Sequence, residues 1–151
     1  MASRIRFLSV GVVLVIALVA CVLGLVGAIE CEDLDEGSCA FAVSSSGKRC
    51  LLEKRVKANE EGDSYFCESS RIGTDIGLKD HVETDSCIES CGFNRRLLGI
   101  SSDALLESRD VRRLCSFECY YNCPNIIDLY FSLAAGEGVF LPKLCEWHNW
   151  N

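Results

Sequence analysis

The number and spacing of the cysteines constrain this chain more than any other feature. Eleven of its 151 residues are cysteines, and one of them, Cys21, lies inside an apolar run from Phe7 to Ile29. Without that run an even set of ten remains: Cys31, Cys39, Cys50, Cys67, Cys87, Cys91, Cys115, Cys119, Cys123 and Cys145. An even set of cysteines in a small secreted chain is typical of a disulfide framework. We therefore predict that all ten are paired.

The N-terminus has the three parts of a secretory signal peptide. Arg4 and Arg6 precede the apolar run, and small or compact residues at Val26 and Ala28 suit cleavage after Ala28. A retained membrane anchor is the alternative, because about 20 apolar residues span a bilayer, and a bacterial lipid-attachment site at Cys21 is a third interpretation. The cysteine parity favours cleavage. We predict a signal peptide over residues 1–28, one cystine-rich domain over residues 29–151, and an extracellular location.

The mature chain is acidic apart from one short region. Loss of Arg4 and Arg6 leaves 13 basic against 22 acidic residues, a net charge of −9. Nucleic acid is therefore not expected as a partner, since phosphate contacts need a dominant basic surface. Positive charge gathers at five arginines, which form a candidate binding patch: Arg95, Arg96, Arg109, Arg112 and Arg113. An anionic polysaccharide, lipid headgroup or receptor loop would fit it, and local ion pairing is the competing interpretation.

The first half of the mature chain favours strands. Residues 39–43, 49–56 and 64–70 combine apolar, aromatic and hydroxyl side chains, and turn-forming residues separate them. This pattern predicts a three-stranded meander. Cys50 and Cys67 are about equidistant from the turn at 57–63, so we predict a disulfide between them.

The second half favours helices around one core. Cysteines recur every four residues at Cys115, Cys119 and Cys123, which would share one face of a continuous helix. Residues 125–135 are apolar except for a narrow stripe, so we predict a buried helix followed by an extended segment towards Cys145. The predicted core residues are Ile126, Tyr130, Leu133 and Phe140. The predicted fold class is α+β: a small disulfide-rich domain with an N-terminal meander and C-terminal helices.

The residue types that usually perform catalysis lack the neighbouring groups that catalysis requires. The only histidines are His81 and His148, and no Gly-x-Ser-x-Gly sequence occurs, so a nucleophile has no evident base. The Cys-x₃-Cys sets resemble zinc ligands, but a secretory leader favours disulfides. Paired acids such as Asp80 and Glu83 leave a small cell-wall hydrolase open. We predict no catalytic residue, metal or cofactor, and a protein that binds an extracellular partner.

Four blocks of the chain resemble the plant photoassimilate-responsive protein family. They are CAFAVSSSGKRC at 39–50, ETDSCIESCG at 83–92, LGISSDALLES at 98–108 and CPNIIDLYFSLAAGEGVFLPKLCE at 123–146. The resemblance implies a secreted apoplastic protein of stress, defence or sugar-linked responses, and it supplies no catalytic residue. The family usually has proline where Phe117 stands, which implies a helix break with Ser116 capping a new helix. A membrane-anchored accessory protein is the remaining alternative.

Overall fold

The computed structural model describes residues 27–56 and 62–149. The predicted signal peptide, apart from Gly27 and Ala28, lies outside the described residues, as do Cys21 and most of the turn at 57–63. In the described parts no helix has the length and apolar character to cross a membrane. The elements are β1 (Lys48–Arg55), β2 (Ser64–Gly73), α1 (Asp85–Ser90), α2 (Ser108–Leu114), α3 (Phe117–Asn122), α4 (Pro124–Gly136), α5 (Leu141–Asn149), and 3₁₀ turns at Cys31–Asp33 and Asp103–Leu105. The fold is α+β, as predicted.

The sheet has two strands rather than three. β1 and β2 pair antiparallel, with Leu52 opposite Cys67 and Cys50 opposite Ser69. The predicted first strand at 39–43 does not form, and only Val43 makes isolated bridges, to Arg49 and His81. Phe41 explains this, because its φ of 64° lies in the left-handed region and interrupts an extended chain.

All ten cysteines from Cys31 to Cys145 are paired, in five disulfides, as predicted. Two of them, Cys31–Cys50 and Cys39–Cys67, join the sheet to the segment before it. The predicted Cys50–Cys67 bond is wrong, because the register places these residues two positions apart rather than opposite each other. The other three lie among the helices: Cys87–Cys123, Cys91–Cys119 and Cys115–Cys145.

Two short helices, α1 and α3, are held antiparallel by a pair of these disulfides. Cys87 lies on α1 and Cys91 is the C-cap of that helix, and their partners Cys123 and Cys119 follow in reverse order. The cap of α1 is Thr84, whose hydroxyl accepts from the Cys87 N–H at 3.2 Å.

The helical segment is interrupted between α2 and α3, at Cys115 and Ser116. The Ser116 hydroxyl accepts from the Cys119 N–H at 3.3 Å and begins α3 as its N-cap. Cys115 therefore points to Cys145 on α5 while Cys119 points to α1. The predicted single helical face of three cysteines is wrong, whereas the break implied by the family resemblance is present.

The larger core forms around α4. Ile126 and Tyr130 are buried as predicted, and Leu133 is half-buried against the same cluster. Phe140 is not a core residue, since it is 66 % exposed while its neighbour Leu141 is 1 % exposed. The cause is that the segment predicted to be extended is helical from Leu141 onward, so Leu141 and Cys145, which are four residues apart, share its buried side.

Candidate functional site

A buried polar network joins the sheet to α4. Arg49, at the start of β1, donates from Nη1 to Asn125 Oδ1 at 2.9 Å and from Nη2 to Asp128 Oδ2 at 2.6 Å. The exposed fractions of the Arg49 and Asp128 side chains are only 2 % and 5 %. Burial lowers the pKa of the Arg49 guanidinium, and the hydrogen bond and charge of Asp128 act in the opposite direction.

Asn125 extends this network to the loop before α1. Its amide Nδ2 donates to Phe41 O and to Glu83 Oε2, both at 2.8 Å. Glu83 is itself buried, and its other oxygen accepts from the Thr84 N–H at 2.9 Å. These polar groups bind one another, so the network holds the two halves of the fold together instead of presenting groups to a ligand.

The polar stripe on α4 was visible in the sequence, but its partner was not. Asn125, Asp128 and Ser132 lie at helical spacing on an otherwise apolar segment, which signals a polar group facing them across the core. Arg49 carried no such signal, because a charged residue beside a cysteine in a strand-like stretch is usually exposed.

The predicted arginine patch is divided by the fold. Arg95 donates from Nε and Nη2 to Asp85 Oδ1 at 2.9 and 2.6 Å, and from Nη2 to Glu83 O at 2.6 Å. Arg96 lies 3.6 Å from a Glu36 carboxylate oxygen. Both charges are therefore paired with acidic side chains of other segments.

The remaining three arginines lie together on one side of α2. Arg109, Arg112 and Arg113 are all exposed and spaced at i, i+3 and i+4, while Val111 and Leu114 are buried on the opposite side. We call these three the α2 arginine face. Arg109 Nε lies 3.6 Å from its neighbour Asp110. Among residues 27–56 and 62–149, no carboxylate lies within 4.0 Å of the Arg112 or Arg113 guanidinium.

Helix α3, which follows directly, exposes two aromatic rings. Phe117 is 67 % exposed and Tyr121 is 70 % exposed, and their ring centroids lie 5.1 Å apart. They occupy positions i and i+4 of α3, and the disulfide-bonded Cys119 between them faces the core. Their spacing around a buried cysteine was the sequence signal for this exposed pair, which sequence reasoning missed.

A second apolar surface lies around the turn between α4 and α5. Two grooves of about 420 and 330 Å³ share Val139 and Leu144, and exposed Leu106, Phe140 and Trp147 border them. The Ser102 hydroxyl donates to Glu137 Oε1 at 2.7 Å at one edge.

The side chains considered for catalysis or metal binding are dispersed. Asp80 is exposed and binds Ser45 and Ile29, whereas Glu83 is buried against Asn125. His81 Nε2 lies 3.5 Å from Glu83 Oε2. Within the described ranges, no group of three or more His, Cys, Asp or Glu side chains could hold a metal ion.

These features define a small cystine-stabilised α+β protein with a buried ion-pair network and a localised basic face. The PAR1 protein family, the photoassimilate-responsive proteins, matches residues 29–151. The chain therefore belongs to this family, which confirms the resemblance seen in its sequence blocks. Comparison with curated proteins gave no match, and comparison with solved structures gave none.

Proposed function

We propose that the mature chain is a secreted, non-catalytic protein that binds an acidic polysaccharide of the plant cell wall. The contact surface is the α2 arginine face together with Phe117 and Tyr121. The observation that carries this proposal is the clustering of three exposed arginines on one helix side of a chain with a net charge of −9 after leader removal.

Charge complementarity supports an anionic partner. A positive face on an acidic protein attracts polyanions while the rest of the surface repels other acidic proteins. Arginine suits carboxylates because its planar guanidinium can donate two parallel hydrogen bonds to them. A polyuronate presents a carboxylate on every sugar, so successive arginines on α2 would meet a repeating set of acceptors.

The exposed rings favour a polysaccharide over a small anion. Phe117 and Tyr121 lie on the helix that follows the α2 arginine face, and large exposed apolar groups mark interaction sites. Sugar rings carry apolar C–H faces that pack against aromatic rings. A polymer is long enough to contact both helices at once, which a single uronate is not.

Secretion is supported by the signal-peptide pattern and by five disulfides, since disulfides persist in oxidising compartments. Membership of the photoassimilate-responsive family supports a role in sugar-linked or stress responses. A non-catalytic role is supported by the use of the buried acids Glu83 and Asp128 in internal hydrogen bonds.

The test is binding of the secreted protein to immobilised polygalacturonate, with a neutral glucan as the reference polymer. Replacing Arg109, Arg112 and Arg113 with glutamine should weaken binding about tenfold, and added salt should weaken wild-type binding. The matched control replaces Arg55, Arg71 and Lys143, which are exposed elsewhere and change the net charge equally.

Equal loss in both triple variants would mean that net charge alone attracts the polymer, and it would remove the proposed site. Salt-independent binding, or equal binding to the neutral glucan, would exclude an acidic polysaccharide as the specific partner. Release of new reducing ends from polygalacturonate by the wild-type protein, but not by a Glu83→Gln or Asp128→Asn variant, would contradict the non-catalytic proposal.

A further inference from the structure

The backbone of Ile29 is held on both sides by one small cluster. Its N–H donates to Asp80 Oδ1 at 3.1 Å, and its carbonyl accepts from the Ser45 N–H at 2.8 Å. The Ser45 hydroxyl contacts both Ile29 O and Asp80 Oδ1. A residue at the edge of the fold is thus fixed by a carboxylate 51 positions away in the sequence.

Asp80 is positioned for this contact by its own backbone. Its φ of 50° is uncommon for a residue other than glycine, and its N–H donates to Ser44 O at 3.3 Å. The next residue, His81, exchanges two backbone hydrogen bonds with Val43, at 3.0 and 2.7 Å. The hydrogen bonds from Ser45 and then from Ile29 hold the pKa of Asp80 below its usual range.

The signal-peptide pattern places cleavage immediately before Ile29, and the family match also begins at residue 29. We propose that an endopeptidase hydrolyses the Ala28–Ile29 bond and that the new Ile29 ammonium forms an ion pair with Asp80. Water is consumed, Ala28 leaves as a carboxylate with the leader, and Ile29 keeps the nitrogen as a protonated amine. This inference rests on the secretion part of the proposed function.

Processing would strengthen the contact that is already there. Before cleavage Ile29 offers a neutral amide N–H, and after cleavage it offers a charged donor, which makes a stronger hydrogen bond to a carboxylate. Charged or titratable residues adjacent in sequence are Lys79 and His81, which flank Asp80, and Glu30, which follows Ile29. Lys79 competes for Asp80, whereas Glu30 adds a second negative charge near the ammonium.

The ion pair has a defined pH range. It needs a protonated amine, whose ordinary pKa is about 8, and an ionised Asp80. An amine stabilised by a carboxylate holds its proton to higher pH in the folded state, so the stabilisation is present below pH 8 and is lost as the amine deprotonates. At low pH it is lost as Asp80 becomes protonated.

The test uses protein purified from the medium of plant cells that express the full chain. N-terminal sequencing should begin at Ile29. An amine-reactive ester should then label the α-amine at pH 7 at least about threefold more slowly in the wild type than in the Asp80→Asn variant. The control Asp63→Asn removes an exposed acid at the other end of the sheet and should label like the wild type. In urea with reductant the difference should vanish.

A measurement without variants covers the case in which Asp80→Asn does not fold. Selective acetylation of the wild-type α-amine should lower the melting temperature at pH 7 and leave it unchanged at pH 10. A first residue other than Ile29 would overturn the processing site, and equal labelling or an unchanged melting temperature would overturn the ion pair. Protein that begins at Ile29 but does not bind polygalacturonate removes the proposed function and leaves this inference standing.

Discussion

The buried Arg49–Asp128 ion pair should be among the most sensitive positions in the protein. Both side chains are almost fully buried, and their closest N–O distance is 2.6 Å. Removing one charge leaves the other in a low-dielectric interior, which typically costs about 3–5 kcal/mol of unfolding free energy. We expect Asp128→Asn to lower the unfolding free energy by about 3 kcal/mol, at the low end of this range. The reason is that Asn125 also connects this region to the buried carboxylate of Glu83, so one negative charge remains in the network.

Arg49→Met should cost more than Asp128→Asn. It leaves the buried carboxylate of Asp128 without its cation, and it leaves Asn125 Oδ1 and Asn125 O without their donor. The double variant Arg49→Met/Asp128→Leu should be less destabilised than the sum of Arg49→Met and Asp128→Leu measured singly, since it removes both charges of the pair.

The assay is urea unfolding followed by far-UV circular dichroism with the disulfides intact, at pH 7. The matched control is the exposed pair Lys54–Asp63, whose 2.7 Å contact is solvated and whose replacement should leave the unfolding midpoint unchanged. A cost below about 1 kcal/mol for Asp128→Asn, or strictly additive single and double variants, would refute the claim that this network joins the two halves of the fold.

Three further predictions concern the core, the close contact between Gly92 and Arg113, and the response to acid. Leu141→Ala should cost about 2–5 kcal/mol in urea unfolding while Phe140→Ala costs little, and the reverse order would mean that α5 begins elsewhere. Gly92→Ala should destabilise by about 1 kcal/mol or more, because φ is 83° and a Cβ would meet Arg113 Cδ; an unchanged melting temperature would contradict this. The hydrogen bond from the Ser69 N–H lowers the pKa of Glu32, so the stability contributed by ionised Glu32 should be fully present above pH 4.5 and should decline as pH falls further. Glu32→Gln should flatten that decline, and an acid-unfolding profile identical to that of the wild type would exclude this contribution.

Local pattern was enough for several features of this protein. The even cysteine set, the order of strands followed by helices, and the apolar helix over residues 125–135 all follow from parity and side-chain period. Ile126 and Tyr130 were identifiable as core because they lie on a helix that is apolar around most of its circumference. Family membership was also readable from the blocks that surround the cysteines.

Disulfide pairing and the positions of buried polar groups depended on contacts between distant residues. Cys50 bonds to Cys31 rather than to Cys67 because strand register, not distance from the turn, decides which cysteines meet. A ten-cysteine chain has far too many possible pairings for spacing to select one.

The candidate binding surface required the tertiary structure as well. The five arginines that are close in sequence are separated in the structure. Arg95 and Arg96 are ion-paired with acids from other segments, and the other three form the α2 arginine face. Arg49 became the centre of the buried network for the same reason, since its partner Asp128 is 79 residues away. The periodicity of the sequence indicates which side chains share a face of a helix or strand. Only the folded chain determines which charged groups from distant segments lie next to that face.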